Sequence, residues 1–212
     1  MNAVLVTGGT TRLGLAIASR LREEGWRVLT SSHRADAGAD IVADLSGPMG
    51  AARLYAAACE MLDGAPPDAL VNNAALFTGG DAVVEAVNFE APKKLTTLMA
   101  CRETGMGSVV NVLDCRVLGG AADGEGAYAR TKRRLLEYTR SSAAMFSATL
   151  RVNAVAPGPV MAPEGVREKA GETPLGRPRS EDVAEAVVFL LGAARTSGCV
   201  IPVDGGQSLC SD

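Results

Sequence analysis

The stretch Thr7-Gly8-Gly9-Thr10-Thr11-Arg12-Leu13-Gly14 (TGGTTRLG) lies between two segments of different character. Residues 3–7 are a short apolar, β-branched run that predicts a strand, and residues 13–24 carry apolar side chains at helical spacing. A glycine-rich turn in this context can bind a dinucleotide, because backbone N–H groups and the dipole at the helix start attract a pyrophosphate. It is also compatible with a plain tight connection between a strand and a helix. The candidate pyrophosphate contacts in the turn are Gly8, Thr11, Arg12 and Leu13.

Outward from this turn, short apolar runs alternate with segments of helical periodicity along the whole chain. The runs are continuously apolar, which is typical of parallel strands buried on both faces. We therefore predict a Rossmann-like doubly wound α/β fold with a parallel sheet of about seven strands, in a single domain over residues 1–212. The proline- and glycine-rich residues 157–180 are predicted to form a substrate lid loop. The predicted strands are residues 3–7, 27–31, 41–43, 69–72, 108–113, 150–155 and 199–203, and the predicted helices are 13–24, 49–62, 83–101 (started or kinked at Pro92), 127–145 and 181–191.

Composition excludes several classes of function. The net charge of −3 argues against a nucleic-acid partner, which would need clustered Lys and Arg. The five cysteines lack any C-x-x-C pair, and the single histidine, His33, has no G-x-S-x-G motif beside it, so we expect no disulfide framework, metal site or hydrolytic triad. No apolar run reaches membrane-spanning length, and a first strand that begins by residue 3 leaves no room for a cleavable signal peptide. We therefore expect a cytoplasmic protein that acts on a small molecule and has no membrane partner.

Candidate cofactor contacts also follow the third and fourth predicted strands. Asp44 and Leu45 come at the end of the third strand, and Asn73 and Ala74 at the end of the fourth. In doubly wound sheets the ligand lies at the carboxyl ends of the strands. Asp44 could accept a hydrogen bond from an adenine amine, or it could serve as a turn or helix-capping aspartate.

The end of the second predicted strand indicates which dinucleotide is bound. An acidic residue there would bind the ribose 2′-OH of NAD, whereas a basic residue accommodates the 2′-phosphate of NADP. The strand runs into Ser32, His33 and Arg34, and no acidic residue occurs before Asp36. Because a guanidinium is suited to a phosphate, we predict that the cofactor is NADP(H).

Tyr128 and Lys132 form a candidate proton-transfer pair. Their spacing of four places both side chains on one face of the predicted helix 127–145. An ammonium beside a phenol favours the phenolate, so we expect the pKa of Tyr128 to lie below the ordinary value of about 10. Such a phenol can pass a proton to a developing alkoxide or ring nitrogen. With the dinucleotide site, the pair indicates a reductase that transfers hydride.

At this point the chain resembles the short-chain dehydrogenase/reductase family, at six motifs in the same order. The resemblance implies that Tyr128 and Lys132 act with Asn88, which would anchor a water relay to the tyrosine, while Lys132 also binds the nicotinamide ribose. It further implies that Pro157 and Gly158 contact the cofactor. It implies a homo-oligomer, a tetramer with a dimer still open, formed through the helices around residues 93–101 and 127–145. The six motifs are the glycine turn, Asn72-Asn73-Ala74-Ala75, Asn88 in Val87-Asn88-Phe89, Tyr128-x-x-x-Lys132, RVNAVAPG at residues 151–158 and IPVDGG at residues 201–206.

Two departures from the family pattern resemble its pteridine-reducing branch. Arg12 stands where the family turn usually has glycine, and Asp114 stands where the family has its catalytic serine. Phe77 matches the aromatic residue that stacks on the pterin in that branch, and Ser32-His33-Arg34 is similar to its 2′-phosphate-binding stretch. The resemblance implies hydride transfer from NADPH to a pterin-like C=N bond, with Arg12, Phe77, Asp114 and Tyr128 as substrate contacts. Taken singly, Phe77 could be a core or lid aromatic, Arg12 a solvated residue, and Asp114 a cap for the turn that follows it.

Two other functions stay open at this point. One is reduction of a different carbonyl or imine substrate, and the other is non-catalytic NADP binding by a sensor. The intact set of Tyr128, Lys132 and Asn88 speaks against the sensor. The family normally has a helix between the second and third strands, and residues 33–41 are too short for it.

Overall fold

The computed structural model describes residues 1–103, 105–119, 126–161 and 173–210. Seven parallel strands form one sheet in the order β3-β2-β1-β4-β5-β6-β7, with helices on both faces, which confirms the predicted Rossmann-like fold. The strands are β1 (Ala3–Thr7), β2 (Arg27–Ser32), β3 (Ile41–Val42), β4 (Ala69–Asn72), β5 (Gly107–Val112), β6 (Leu150–Pro157) and β7 (Val200–Val203). The helices are α1 (Arg12–Glu23), α2 (Gly50–Met61), α3 (Asp81–Glu85), α4 (Ala91–Ala100), α5 (Ala127–Met145) and α6 (Ser180–Gly192).

Helices cover the sheet on both sides, which explains why strands such as β1 and β4 are buried along their whole length. On one face, Ile17 of α1 and Val187 of α6 pack in the same cluster as β1 and β4. On the other face, Leu54 of α2 and Leu95 of α4 pack against the sheet, and α5 packs beside them. Burial of one such aliphatic side chain is worth about 1.5–3 kcal/mol. In the described part of the chain, no helix combines the length and apolarity that a bilayer crossing requires.

The predicted helix 83–101, expected to start or kink at Pro92, is interrupted in that region. It is divided into α3, a π-helical turn over Ala86–Glu90, and α4. Pro92 lies in the first turn of α4 and has no N–H to donate to the carbonyl of Asn88, four residues earlier. The hydrogen-bond ladder widens there, as it commonly does at a π turn near a functional residue. Asn88, a predicted site residue, lies within this turn.

The connection between β2 and β3 lacks a full helix, as its length predicts. It contains only the short 3₁₀ turn Ala35–Ala37. The carboxylate of Asp40 accepts hydrogen bonds of 2.7 Å from both the backbone N–H and the hydroxyl of Thr30, which ties the short connection to β2. The edge strand β3 is correspondingly open, and Val42 is 55% exposed.

Candidate active site

The parallel sheet brings the candidate residues to one edge of the molecule. The carboxyl ends of its strands all point the same way, so the segments that follow them share one surface. These segments are the glycine turn after β1, Ser32 at the end of β2, Asp44 after β3, Asn73 after β4, Asp114 after β5 and Pro157 at the end of β6.

The glycine turn packs tightly against the start of α1. A Cβ atom on Gly14 would lie 2.0 Å from the carbonyl oxygen of Gly8, so α1 approaches the turn as only glycine allows. Arg12, the first residue of α1, has a φ of +51°, in the left-handed region that favours glycine. Thr11 is the N-cap of α1, and among the described residues its side chain makes no capping bond to the helix. The turn therefore suits a pyrophosphate bound by backbone N–H groups.

Asn73 and Ala74 hold the glycine turn in place. The Asn73 side chain donates to the carbonyls of Thr7 and Gly8 over 3.0 and 3.1 Å. The hydroxyl of Thr7 accepts hydrogen bonds from the backbone N–H groups of Asn73 and Ala74, both 3.0 Å long. Thr7 was not among the sequence-predicted site residues, although a buried hydroxyl at the end of an apolar strand is the signal that marks it. The contacts make Asn73 a positioning residue for the turn.

The residues after β2 form an exposed polar segment. The hydroxyl of Ser32 accepts a 3.1 Å hydrogen bond from the backbone N–H of Arg34, and His33 between them is exposed. Arg34 donates from its Nε and Nη2 atoms to the carboxylate of Asp36 over 3.1 and 2.9 Å. The guanidinium is thus held at the carboxyl edge of β2 by a carboxylate that a phosphate would have to replace.

The residues after β3 play local roles. Asp44 Oδ1 accepts from the backbone N–H and the hydroxyl of Ser46 over 2.9 and 2.7 Å, the turn role that the sequence left open. The Leu45 side chain is 8% exposed and belongs to the core, so a cofactor contact there would come from its backbone. A cavity of about 450 Å³ lies beside this segment, between the β3 edge and α2, and its lining includes Asp44 and Arg53.

Tyr128, Asp114 and Lys132 meet at the carboxyl end of β5. The Tyr128 hydroxyl donates to Asp114 Oδ2 over 3.1 Å. Lys132 is 2% exposed, and its Nζ atom donates to the Val112 carbonyl over 2.6 Å and lies 5.8 Å from the centre of the Tyr128 ring. The sequence placed Tyr128 and Lys132 on one helix face, and both lie on α5 in contact with the end of β5.

The expected direction of the Tyr128 pKa is wrong for this arrangement. Burial of the phenol raises the pKa of Tyr128, and the charge of Asp114 raises it further. Burial also lowers the pKa of Lys132 to about 8, opposed by the attraction of Asp114. Burial alone would raise the pKa of Asp114, but hydrogen bonds and charge from Arg116 outweigh it and hold that pKa below its ordinary value. Tyr128 is therefore a protonated phenol beside an ionised carboxylate, because the nearest charge to its hydroxyl is negative.

Asn88 connects the tyrosine helix with the loop after β4. Its Oδ1 atom accepts from the Leu76 N–H over 2.7 Å, and its Nδ2 atom donates to the Leu76 carbonyl over 2.9 Å. The same Nδ2 atom donates to the Thr131 hydroxyl over 3.3 Å. Since Leu76 directly precedes Phe77, Asn88 holds the backbone next to Phe77, the aromatic residue predicted to contact the substrate. Its part in a water relay stays a prediction.

Phe77 lies against Tyr128. Its ring centre is 4.6 Å from that of Tyr128 at an angle of 45°, and the residue is 44% exposed. Such contact between a partly exposed aromatic ring and Tyr128 leaves a flat hydrophobic face open beside the candidate proton donor. Arg12 begins α1 at the glycine turn, and its predicted substrate contact stays a prediction.

Arg116 belongs to the candidate site by its contacts, although it was not among the sequence-predicted residues. It donates three hydrogen bonds to the Asp114 carboxylate, from its backbone N–H over 3.0 Å, from Nε over 2.9 Å and from Nη2 over 2.7 Å. Its guanidinium carbon is 5.6 Å from the ring centres of both Phe77 and Tyr128. An arginine two residues after the unusual Asp114 was the available signal.

The predicted lid is described only at its two ends. Pro157 closes β6, and the N–H of Gly158 donates to the Val203 carbonyl over 2.9 Å. A Cβ on Gly158 would lie 2.7 Å from the Cα of Asp204, so this end is packed against the segment after β7. At the other end, the N–H of Leu175 donates to the Gly205 carbonyl over 2.9 Å. Residues 162–172 lie outside the described part of the chain, so the lid stays a prediction.

Comparison with known proteins finds reductases that are similar to this chain over most of its length. Residues 10–208 match the family described as enoyl-(acyl carrier protein) reductase. A putative ketoacyl reductase of granaticin polyketide synthesis from Streptomyces violaceoruber is 33% identical, with 97% of this chain and 95% of that protein covered. A 3-oxoacyl-[acyl-carrier-protein] reductase of rhamnolipid biosynthesis from Pseudomonas aeruginosa is 32% identical over the same shares of each chain.

Solved structures with this fold include two alternative dihydrofolate reductases. FolM alternative dihydrofolate reductase 1 from Brucella canis, complexed with NADP, superposes with a TM-score of 0.84 at 30% identity and covers 100% of this chain and 96% of that one. The Brucella suis protein, also in complex with NADP, gives a TM-score of 0.83 at 28% identity, covering 99% and 96%. The six motifs, the sheet order and these matches together establish that the chain belongs to the short-chain dehydrogenase/reductase family.

Proposed function

We propose that this protein is an NADPH-dependent reductase of a flat, pterin-like heterocycle, with Tyr128 as the proton donor to the reduced C=N bond. The observation that carries the proposal is the hydrogen bond from the Tyr128 hydroxyl to an ionised Asp114. An ionised carboxylate only accepts hydrogen bonds, so it suits a substrate with N–H groups and is poorly suited to a carbonyl oxygen. The FolM alternative dihydrofolate reductases, whose structures were solved with NADP, support this substrate class.

The residues present fit NADP(H). The backbone at Gly8, Thr11 and Leu13 would hold the pyrophosphate, and Ser32 with Arg34 would hold the 2′-phosphate. The nicotinamide, when bound, supplies the hydride. The remaining proposed cofactor contacts, through side chain or backbone, are Arg12, His33, Asp44, Leu45, Asn73, Ala74, Tyr128, Lys132, Pro157 and Gly158.

The chain's own groups supply the proton and orient the substrate. Tyr128 holds its proton at neutral pH, since burial and Asp114 raise its pKa, and it gives up that proton only as negative charge develops on the substrate nitrogen. Lys132 lies close enough to stabilise the phenolate that remains. Phe77 would cover one face of the heterocycle, and Asp114 and Arg12 would bind its polar edge.

The second candidate is reduction of a carbonyl substrate, favoured by the ketoacyl reductases among the relatives. The Asp114→Ser variant separates the two, because a serine hydroxyl can donate to a carbonyl oxygen. We expect this variant to lose dihydropterin turnover and to gain ketone turnover. A variant that keeps dihydropterin turnover would show that Asp114 does not select the substrate.

The test is NADPH oxidation, followed optically, with a dihydropterin, a cyclic imine and a ketone, and with NADH in parallel. We expect turnover of the dihydropterin with NADPH. The Tyr128→Phe variant should lose about 10²- to 10⁴-fold in kcat, whereas Tyr138→Phe, on the same helix but bonded to the Lys93 carbonyl, should not. Binding of NADPH with reduction of ketones only would refute the pterin assignment. Unchanged turnover by Tyr128→Phe would favour a non-catalytic role for the site.

Self-association and cytoplasmic location are part of the same proposal. A homo-oligomer through α4 and α5, tetramer or dimer, is what the family resemblance implies. The five cysteines are unpaired in the described part of the chain, which supports a reducing compartment.

A further inference from the structure

Arg116 occupies the hydrogen-bonding edge of Asp114. Oδ1 accepts from the backbone N–H and Nε of Arg116, and Oδ2 accepts from its Nη2 and from the Tyr128 hydroxyl. Both carboxylate oxygens therefore have partners before any substrate arrives. The two side chains differ in exposure, 58% for Arg116 and 15% for Asp114. The guanidinium can leave into solvent, whereas the carboxylate is held in the site.

The guanidinium also matches the chemistry of the proposed substrate. A pterin carries an exocyclic amine next to a ring N–H, which together form a flat, guanidine-like pair of donors. The Nε and Nη2 groups of Arg116 present such a pair to the two oxygens of Asp114. The guanidinium lies beside the same aromatic rings, Phe77 and Tyr128, against which a flat heterocycle would pack.

We propose that the Arg116 side chain occupies the place of the substrate on Asp114. A ligand with a guanidine-like edge must displace this side chain in order to bind Asp114. This inference rests on the proposed function and names what the site selects. The backbone N–H of Arg116 stays bonded to Oδ1 when the side chain leaves, so Asp114 keeps its position for the incoming ligand. A ligand without paired N–H donors cannot replace Arg116 and finds Asp114 covered. Arg116 is thereby a specificity-determining residue.

The test compares Arg116→Met with the wild-type protein and with Arg130→Met. Methionine keeps an apolar stem beside Phe77 and Tyr128 but has no donors. Arg130 is an arginine of α5 paired with Asp81 outside the site, so its variant controls for loss of a surface charge. Thermal unfolding of all three proteins shows that each is folded.

Two readouts are needed, one of turnover and one of binding. With saturating NADPH, we expect Arg116→Met to lower the KM for a dihydropterin about two- to fivefold, the effect of one exposed ion pair. The NADP⁺-loaded variant should bind an aminopyrimidinone fragment, which carries the same donor edge, tighter by the same factor in calorimetry. The KM for a ketone without N–H groups should not change, and Arg130→Met should behave as wild type.

The outcomes separate this inference from the proposed function. Unchanged or weaker fragment binding by Arg116→Met would overturn the inference, whatever the enzyme reduces. Loss of ketone reduction in this variant would also overturn it, because Arg116 would then be a donor to a carbonyl oxygen. Tighter fragment binding without any dihydropterin turnover by the wild type would uphold the inference and refute the proposed reaction.

Discussion

Asn88 and Leu76 are joined by two hydrogen bonds, in which the Asn88 side chain accepts from the Leu76 N–H over 2.7 Å and donates to its carbonyl over 2.9 Å. This pairing brings the π turn between α3 and α4 against the loop that carries Phe77. The family resemblance implies a catalytic role for Asn88, whereas the contacts in this chain show that it holds the backbone next to Phe77, a predicted substrate contact.

Replacement of Asn88 by alanine should therefore affect both stability and substrate binding. It leaves the backbone groups of Leu76 without their partners, which costs about 3 kcal/mol in the free energy of unfolding. Because Asn88 no longer holds the backbone next to Phe77, the KM for a dihydropterin should rise on the order of tenfold. Denaturant unfolding and steady-state kinetics measure the two effects.

Asn153→Ala is the matched control for this prediction. Asn153 is equally buried and likewise bonds a backbone carbonyl and N–H, those of Thr196 and Cys199, over 2.9 and 3.0 Å. We expect a similar loss of stability with no change in KM. Equal changes in KM in both variants would show that Asn88 acts only through stability.

Lys132 should give the protein a distinctive dependence of stability on pH. Its pKa is lowered from 10.5 to about 8 in the folded state because the ammonium is buried. Between these values the unfolded chain binds a proton that the folded protein does not, so the free energy of unfolding rises with pH through this window. This contribution to the free energy of unfolding is fully present above the pKa that Lys132 has in the unfolded chain, and it is lost as the pH falls through about 8.

The difference in stability between wild type and Lys132→Met isolates this effect. From pH 7 to pH 10.5, denaturant unfolding should show the wild type gaining as much as about 3 kcal/mol relative to the variant. A difference that stays constant over this range would mean that Lys132 is charged in the folded protein.

Arg12→Gly should stabilise the protein while weakening the site. The φ of +51° at Arg12 is unfavourable for a residue with a Cβ, and its relief is worth up to about 1 kcal/mol after the entropy cost of glycine. If Arg12 contacts the cofactor or substrate, the KM for NADPH or for the dihydropterin should rise severalfold.

Asp63→Gly provides the comparison, because Asp63 has a φ of +57° and lies between α2 and β4, away from the carboxyl ends of the strands. We expect the same gain in melting temperature and unchanged kinetics. Unchanged kinetics for Arg12→Gly as well would remove Arg12 from the set of site residues.

Arg34 should account for the preference for NADPH over NADH. Its guanidinium pairs with Asp36 in an exposed segment, where a 2′-phosphate can replace the Asp36 carboxylate. Arg34→Met should lower the ratio of kcat/KM for NADPH to that for NADH about 10- to 100-fold, the value of a charge-assisted bidentate contact. Asp36→Asn weakens the competing pair and should tighten NADPH binding about two- to threefold. An unchanged cofactor ratio in Arg34→Met would place phosphate recognition on another residue.

Much of the fold was predictable because its signals are local. The strand Ala3–Thr7, the glycine turn and α5 at Ala127–Met145 follow from apolar runs and spacing within a few neighbouring residues. The helix before β5 was predicted to start or kink at Pro92, but the spacing of apolar residues does not reveal how the backbone adapts there. The π turn that results depends on hydrogen bonds that only the folded helix can lose or replace.

The candidate site was likewise predictable only in part. Sequence alone determined the family, the glycine turn and the identities of Tyr128, Lys132 and Asp114, since these depend on residue type and order. Only the tertiary structure decided that the Tyr128 pKa is raised and that Arg116 covers Asp114. The physical reason is that electrostatic interactions depend on burial and on which charges lie within a few ångströms, and residues distant in the chain are brought that close only by folding.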